Sequence, residues 1–243
     1  DWVFVAFDVP AGEGEAAVRA VRTLGLTGMS VTMPHKADAA RACDELTPDA
    51  AALGAVNSVR LTEGGRLVGD STDGEGFRRA LIEAGHDPAG RRVLVLGAGG
   101  AARAVVLALG RVGCDVTVAA RRVEAAAAAA SLAPGGRTVE WASLEAMVQA
   151  ADVIVQATPI GMDGAGGGAT PFDPELLRPG QVVADLVYHP LETPLLAATR
   201  ARGAAAVDGL GMLVHQAGLQ VERWTGRPAP IPAMFAAARS QLG

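Results

Sequence analysis

Apolar positions along the chain change their period repeatedly, which predicts helices alternating with strands. Residues 17–24 carry apolar side chains at helical spacing, and Gly25 follows as a helix end. Residues 92–96 form a continuous apolar run, typical of a parallel strand that is covered on both faces. An alternation of this kind indicates an α/β protein.

The predicted elements fall into two regions, separated by the linker-like residues 86–90. In the first region we expect a strand over 2–7, a helix over 17–24, a strand over 29–32, helices after Pro34 and Thr47, strands over 54–61 and 66–69, and a helix over 74–84. In the second we expect strands over 92–96, 115–119, 138–141, 153–156, 182–186 and 204–207, with helices between them and Ser143 capping one of these. The tail from 211 to 243 is predicted to be helical, with a proline-rich interruption.

Composition narrows the class of protein. Half of the residues are hydrophobic and 19% are charged, which predicts a core-forming globular protein. The net charge of -5 argues against nucleic acid as a partner, and no uncharged apolar run reaches the roughly 18 residues of a membrane span. The two cysteines, Cys43 and Cys114, exclude a disulfide scaffold and fit a reducing compartment, so we expect a cytoplasmic protein.

A glycine-rich turn directly follows the apolar strand of the second region. Gly97, Gly99 and Ala102 stand in the pattern G-x-G-x-x-A between that strand and a predicted helix. The first glycine allows a tight turn, the second lets the backbone approach a pyrophosphate, and the alanine keeps helix and strand close. The pattern predicts a dinucleotide site in a Rossmann-like domain of about 120 residues.

The end of the next strand indicates which dinucleotide binds. An NAD site places a carboxylate there for the ribose 2′-hydroxyl. This chain has Arg121 and Arg122 instead, and Glu124 comes only later. Guanidinium groups match a 2′-phosphate in charge and bidentate geometry. We therefore predict NADP as the cofactor.

Three residue types occur only once. Of the 21 lysines and arginines only Lys36 is lysine, and Asn57 and Tyr188 are the single asparagine and tyrosine. Arginine keeps its proton, whereas lysine can act as a general acid. Lys36 is therefore a candidate catalytic residue. The four histidines have no metal-ligand spacing; we predict no metal site and interpret them as structural or solvent-facing.

Several segments in order resemble the shikimate dehydrogenase family over nearly the whole chain. They are V-T-x-P-x-K at 31–36, G-A-V-N at 54–57, T-D-G-x-G at 72–76, G-A-G-G-A-A-R at 97–103, A-T-P-I-G-M at 157–162, D-L-V-Y at 185–188 with T-P-L-L at 193–196, and G-L-G-M-L-V-H-Q at 209–216. Family members often have asparagine at positions 30, 71, 120 and 156, where this chain has Ser, Ser, Ala and Gln. The family also has an earlier strand and a Ser-x-Ser-like loop that binds the substrate carboxylate. Nothing corresponds to them here and residue 1 is Asp, so we expect the natural polypeptide to be longer by some tens of residues.

The resemblance implies reversible, NADPH-dependent reduction of 3-dehydroshikimate to shikimate. Hydride transfer to a ketone leaves an alkoxide, and a lysine beside a carboxylate can protonate and stabilise it. By resemblance Lys36 and Asp73 are catalytic, although Asp73 could also cap a helix. The remaining implied roles are substrate binding for Thr32, Asn57, Gln216 and Tyr188, and cofactor binding for Gly97, Ala98, Gly99, Gly100, Ala101, Arg121, Arg122, Thr158, Gly209 and Met212.

The predicted architecture has two α/β domains with the active site in the cleft between them. Residues 1–88 with 211–243 form the smaller substrate domain, and residues 89–210 form the Rossmann-like, parallel-sheet NADP domain. We expect a monomer or a homodimer. Two alternatives stay open: a quinate or aminoshikimate dehydrogenase of the same family, and a non-catalytic NADP-binding fragment.

Overall fold

The chain divides into two units, each built around its own sheet. The computed structural model describes residues 2–162 and 169–242. The first unit runs as far as Ser71 and takes in Arg223–Gly226, and the second contains the rest of the chain. The domain limits predicted from the sequence, at 88 and 211, stay a prediction.

The first unit contains three helices and four short strands among its described residues. In chain order they are α1 (Gly14–Thr23), β1 (Gly28–Ser30), α2 (Lys36–Ala42), β2 (Glu45–Leu46), α3 (Pro48–Leu53), β3 (Ser58–Leu61) and β4 (Leu67–Asp70). The sheet order is β1-β3-β4-β2. β3 is antiparallel to both β1 and β4, while β2 is parallel to β4.

Helix ends in this unit follow local rules that the sequence displays. The Thr47 hydroxyl accepts the Ala50 amide at 3.4 Å, which caps α3. Gly54 then ends α3 with a φ of +59°, a left-handed conformation that favours glycine. The predicted strand over 54–61 therefore begins only at Ser58, because the preceding residues close the helix.

The predicted strand over residues 2–7 is wrong. These residues form no strand, and the side chains of Trp2, Val3 and Phe4 are 59%, 86% and 76% exposed. A strand needs a hydrogen-bonding neighbour, and no described strand pairs with this segment. The segment contacts the unit instead through Phe4, which stacks on Trp224 with ring centroids 6.1 Å apart.

The second unit is an α/β layer around a six-stranded sheet. Its elements are α4 (Asp73–Glu83), β5 (Arg92–Leu96), α5 (Gly100–Arg111), β6 (Asp115–Ala119), α6 (Val123–Ala130), β7 (Arg137–Val139), α7 (Leu144–Ala150), β8 (Val153–Gln156), β9 (Val182–Asp185), α8 (Pro194–Ala201), β10 (Ala205–Val207), α9 (Gly209–Thr225) and α10 (Ile231–Leu242). The last residues of α9, from Arg223, are assigned to the first unit. Short 3₁₀ turns cover Trp141–Ser143 and Pro174–Leu176.

The large sheet is wholly parallel, in the order β10-β9-β8-β5-β6-β7. Alternate residues of β5 lie in different apolar clusters: Val93 and Val95 pack into one, and Leu94 and Leu96 pack into another. The continuous apolar run therefore reflects a strand that is covered on both faces. This arrangement confirms the predicted Rossmann-like, parallel-sheet α/β class.

The helix cap predicted at Ser143 is wrong, and the alternative that Asp73 caps a helix does not hold. The Ser143 side chain makes no capping hydrogen bond to α7, because a 3₁₀ turn leads into the helix and Ser143 lacks the extended backbone of a capping residue. At α4 the cap position is occupied by Thr72, and Asp73 is the first residue of the helix itself. No helix among the described residues is long and apolar enough to cross a bilayer.

Candidate active site and dinucleotide site

The turn after β5 has a shape that only glycine accommodates at its first position. Gly97 has a φ of +112°, and a Cβ there would lie 2.8 Å from the carbonyl oxygen of Ala157. Its amide donates to the Ala119 carbonyl at 2.8 Å, so the turn is tied to the end of β6. Both the backbone conformation and the neighbouring loop therefore exclude a side chain.

The space beside this turn fits a pyrophosphate. Cβ atoms built on Gly99 and Gly100 meet nothing within 4 Å, and both glycines are exposed. The twelve-residue helix α5 begins at Gly100 and directs its unsatisfied amides and positive dipole end here. Ala98 and Ala101 complete the turn, and Ala102 is fully buried, which keeps α5 against the sheet.

Two arginines lie at the carboxyl end of β6, beside the glycine turn. Leu96 and Ala119 are register partners, and Arg121 and Arg122 follow two and three residues later. Both are exposed, and neither forms an ion pair with any residue that the structure describes. Two guanidinium groups without a local carboxylate partner suit a 2′-phosphate.

Thr158 lies on the other side of the glycine turn, after β8. Its methyl carbon would be 3.3 Å from a Cβ on Gly97. β5 lies between β6 and β8, and the chain leaves it first towards β6 and later towards β8. Such a reversal is the point at which ligands bind in open α/β sheets. The residues predicted to hold the cofactor after β5, β6 and β8 thus meet at one edge.

The first turn of α4, which carries Asp73, packs against α9 at Gln216. A Cβ on Gly76 would lie 2.7 Å from Cβ of Gln216 and from its amide nitrogen. The Thr72 hydroxyl donates to the Gln216 carbonyl at 3.0 Å. On its other side α4 packs against α5, since a Cβ on Gly74 would lie 2.4 Å from the Ala104 carbonyl oxygen. The glycines of T-D-G-x-G thus let α4 fit between two helices.

Three predicted site residues share one face of α9. Gly209, Met212 and Gln216 are spaced by three and four residues, which places them on the same side of the helix. A Cβ on Gly209 would lie 2.6 Å from the Leu186 carbonyl oxygen, so the start of α9 touches the loop that carries Tyr188. Tyr188 is 43% exposed and is therefore not a core aromatic residue.

A buried carboxyl group shapes the Tyr188 loop. Asp185 ends β9 with 1% of its surface exposed, and it accepts the Val187 amide at 3.1 Å and the Thr193 hydroxyl at 2.8 Å. Burial raises the pKa of Asp185, and these two hydrogen bonds oppose that rise. The Thr193 hydroxyl in turn accepts the Leu196 amide and caps α8.

In the first unit, Thr32, Lys36 and Asn57 lie near one end of the sheet. Because β1 and β4 both run antiparallel to β3, the carboxyl ends of β1 and β4 adjoin the start of β3. Asn57 bridges them: its carbonyl accepts the Val31 amide at 2.8 Å, and its amide donates to the Asp70 carbonyl at 3.0 Å. The Lys36 carbonyl accepts the neighbouring Val56 amide at 2.9 Å. Asn57 is 2% exposed, Lys36 is half-buried and Thr32 is exposed.

Comparison with known proteins assigns the chain to a family. Three family models match: a shikimate dehydrogenase substrate binding domain over residues 1–59, shikimate / quinate 5-dehydrogenase over 80–160, and a shikimate 5′-dehydrogenase C-terminal domain over 209–239. The NADP(+) shikimate dehydrogenase of Moorella thermoacetica is 43% identical over 249 residues, covering 99% of this chain and 84% of that protein. The chain belongs to the shikimate dehydrogenase family.

Solved structures agree with this assignment. Shikimate 5-dehydrogenase from Thermus thermophilus, in complex with NADP(H) and shikimate, is 36% identical with a TM-score of 0.88, over 98% of this chain and 87% of that one. Quinate dehydrogenase from Corynebacterium glutamicum, in complex with NAD, is 33% identical with a TM-score of 0.87, over 93% of this chain and 82% of that one. The shikimate dehydrogenase fold is thus present in both units.

Sequence reasoning missed a glutamine that contacts a predicted site residue. Gln220 is 3% exposed and donates through Nε2 to Gln216 Oε1 at 2.9 Å. It also approaches the Thr72 hydroxyl at 3.4 Å. The signal was available, because residues four apart on a helix are neighbours and both are amides.

His35 is partly buried and has a structural role, one of the two roles expected for the histidines. Its Nε2 lies 2.9 Å from the Val9 carbonyl oxygen, and its Nδ1 lies 3.3 Å from Asp38 Oδ2. The ring therefore joins the start of α2 to the preceding segment, directly beside Lys36. In the described ranges, no three His, Cys, Asp or Glu side chains converge on a possible metal position.

Proposed function

We propose that this protein catalyses the reversible, NADPH-dependent reduction of 3-dehydroshikimate to shikimate. The observation that carries the proposal is the 43% identity, over 99% of the chain, to a relative named NADP(+)-dependent shikimate dehydrogenase. Three features of the geometry support it: the open glycine turn, the two exposed arginines after β6, and Gln216 on the same face of α9 as Gly209 and Met212.

In this proposal Lys36 is the proton donor. When bound, NADPH would supply the hydride that reduces the carbonyl carbon of the ketone. The carbonyl oxygen gains negative charge, and Lys36 Nζ donates a proton to it, so that a hydroxyl forms and the lysine recovers its proton from water. Asp73 would accept a hydrogen bond from the same substrate hydroxyl and so help to orient it.

The other polar residues hold the polyol and the cofactor. Asn57 and Gln216 offer both donors and acceptors to substrate hydroxyls, and Thr32 and Tyr188 add hydroxyl groups. The glycine turn would hold the pyrophosphate, Arg121 and Arg122 would hold the 2′-phosphate, and Thr158, Gly209 and Met212 would hold the nicotinamide half.

The proposal extends to organisation and location. Residues 1–88 with 211–243 bind the substrate, and residues 89–210 bind NADP. The protein acts as a monomer or a homodimer in the cytoplasm, where reduced thiols such as those of Cys43 and Cys114 are stable.

Substitution of Lys36 tests the mechanism. We expect Lys36→Ala to lower kcat for shikimate oxidation by about 10²–10⁴-fold, because the proton-transfer group is lost, while NADP binding is unchanged. Lys36→Arg keeps the charge but gives up no proton, so kcat should stay low. Arg41→Ala is the matched control: Arg41 lies on the same helix, is exposed and pairs with Glu15 and Asp38. An unchanged kcat in a folded Lys36→Ala protein would overturn the mechanism.

A quinate dehydrogenase is the second candidate, favoured by the similarity to the Corynebacterium glutamicum enzyme. Steady-state kcat/KM for shikimate, quinate and aminoshikimate, each with NADP and NAD, decides between them. The primary proposal requires the highest value for shikimate with NADP. Turnover with none of them, together with NADP binding, would instead identify a non-catalytic binding protein.

A further inference from the structure

A glutamine side chain at the end of β8 organises the loop that follows it. Gln156 has no exposed surface. Its Nε2 donates to the Ile160 carbonyl at 2.9 Å, and its Oε1 accepts the Thr158 amide at 3.1 Å. The Thr158 hydroxyl lies 2.8 Å from Nε2 and 3.0 Å from Oε1. The Gln156 side chain thus provides hydrogen-bond partners for backbone groups of the loop, which lies beyond the end of the strand.

The backbone fixes which way round the amide group lies. Nε2 faces two carbonyl oxygens, those of Ile160 at 2.9 Å and Thr158 at 3.3 Å, and these can only accept. Oε1 faces the Thr158 amide, which can only donate. A carboxylate in place of the amide would therefore set lone pairs against carbonyl oxygens in a buried position.

This loop borders the half of the dinucleotide site that lies beyond the pyrophosphate. Gly97 lies directly against Ala157 and Thr158, on the β8 side of β5. Arg121 and Arg122 follow β6, on the opposite side of β5. Suppose that a dinucleotide places its 2′-phosphate at the arginines and its pyrophosphate on the glycine turn. Its nicotinamide half would then extend over β8.

We propose that Gln156 is the positioning residue for the nicotinamide half of the cofactor: it holds Thr158 and the backbone to Ile160 in the conformation that receives that half. The inference rests on the proposed NADP-dependent function. Gln156 acts through the loop and does not itself touch the cofactor, because it has no exposed surface.

The same domain contains a matched glutamine far from the cofactor edge. Gln181 precedes β9 at the amino end of the sheet and is 1% exposed. Its Nε2 donates to the Val148 and Ala151 carbonyls at 2.7 and 2.9 Å, and its Oε1 accepts the Arg178 amide at 2.9 Å. Gln156→Glu and Gln181→Glu therefore remove equivalent buried donors at opposite ends of the sheet.

Calorimetric titration of the full chain with NADP and with 2′-phospho-ADP-ribose, which lacks the nicotinamide, tests the inference. We expect Gln156→Glu to raise the Kd for NADP by about 10-fold and to leave the Kd for 2′-phospho-ADP-ribose within about 2-fold. Gln156→Glu and Gln181→Glu should lower Tm by similar amounts, but Gln181→Glu should change neither Kd. Faster hydrogen exchange at the Thr158 and Ile160 amides in Gln156→Glu is the expected ligand-free readout.

The other outcomes separate the inference from the function. If wild type binds NADP and Gln156→Glu leaves its Kd unchanged, or weakens both ligands equally, the positioning role is overturned while the function stands. If wild type binds neither ligand, the inference and the proposed function are both overturned. Should Gln156→Glu not fold, Gln156→Met serves instead: it keeps a similar volume and removes both donor and acceptor, so a rise in Kd confined to NADP supports the inference and an unchanged Kd overturns it.

Discussion

The two ends of the six-stranded sheet are built from the same strands but differ in how they treat polar groups. At the amino end, charges meet local partners: Arg92 pairs with Asp152 at 2.7 Å and Arg137 with Asp115 at 2.6 Å. At the carboxyl end lie a glycine turn, buried Gln156 and Asp185, and the exposed pair Arg121 and Arg122.

The difference shows which end is organised for stability and which for a ligand. Exposed ion pairs neutralise charge at the amino end and cost little to maintain. At the carboxyl end the chain buries a carboxyl group and leaves two guanidinium groups without an ion-pair partner among the described residues, and neither feature favours folding. Such features persist where a ligand uses them.

Matched glycine substitutions at the two ends of the sheet should give the largest difference in NADP affinity. Gly97→Ala puts a methyl group 2.8 Å from the Ala157 carbonyl oxygen as well as straining the backbone, so we expect NADP affinity to fall by about 100-fold or more. Gly113, before β6 at the amino end, has a φ of +75° and no atom near its missing Cβ. Gly113→Ala should cost about 1 kcal/mol of unfolding free energy and leave NADP binding unchanged.

Titration calorimetry and denaturant unfolding of both variants provide these values. Equal NADP affinities for the two variants would remove the distinction between the two ends of the sheet.

Matched arginine substitutions should give an intermediate contrast. Arg121→Ala removes a charge-assisted contact to the 2′-phosphate, and we expect Kd for NADP to rise by about 10- to 100-fold while Kd for NAD stays constant. Arg137→Ala breaks an exposed pair with Asp115 and should change the unfolding free energy by no more than about 0.5 kcal/mol. Parallel loss of NADP and NAD binding in Arg121→Ala would contradict the 2′-phosphate assignment.

Asp152 and Asp185 should give the smallest contrast, because they change the pH dependence of the unfolding free energy in opposite directions. The Arg92 guanidinium lowers the pKa of Asp152 to about 2, so its stabilisation is present above the unfolded value of 3.8 and is lost as pH falls towards 2. Burial raises the pKa of Asp185, so its contribution is most favourable below pH 3.8 and is lost as pH rises through the folded pKa.

Urea unfolding of wild type, Asp152→Asn and Asp185→Asn between pH 3 and pH 7 measures both effects. Relative to wild type, Asp152→Asn should lose about 0.5 kcal/mol at neutral pH after allowance for solvent screening, whereas Asp185→Asn should become relatively more stable as pH rises. Curves that shift in the same direction would show that the two ends of the sheet do not differ in this way.

Most of the parallel sheet could be predicted because its signals are local. The apolar run at Arg92–Leu96 needs burial on both faces wherever it lies, and the glycines after it specify their own turn. The strand expected over residues 2–7 failed because strand formation depends on a neighbour, which no local pattern supplies. The cap predicted at Ser143 failed because a 3₁₀ turn leads into α7 and leaves Ser143 without the extended backbone of a capping residue.

Within the candidate site, residue identity was predictable and residue contact was not. Lys36 and Asn57 were conspicuous as single occurrences, and the glycine turn and Arg121 had a spacing with physical meaning. Gln220 carried only a weak signal, its four-residue spacing from Gln216, and Gln156 stood out only as a position where the family often has asparagine. Their roles appear only when burial leaves each amide facing specific backbone or side-chain partners.

The sequence by itself determined the alternation of helices and strands, the glycine turn, the arginines after β6 and the presence of one lysine, since each depends on residues close together in the chain. Only the tertiary structure decided that Gly76 must admit the backbone of Gln216 and that Gly209 must admit the loop carrying Tyr188. Each of these contacts joins two segments that are far apart in the chain. They depend on how helices and strands pack in three dimensions, which hydrophobic periodicity constrains only to a face and never to a partner.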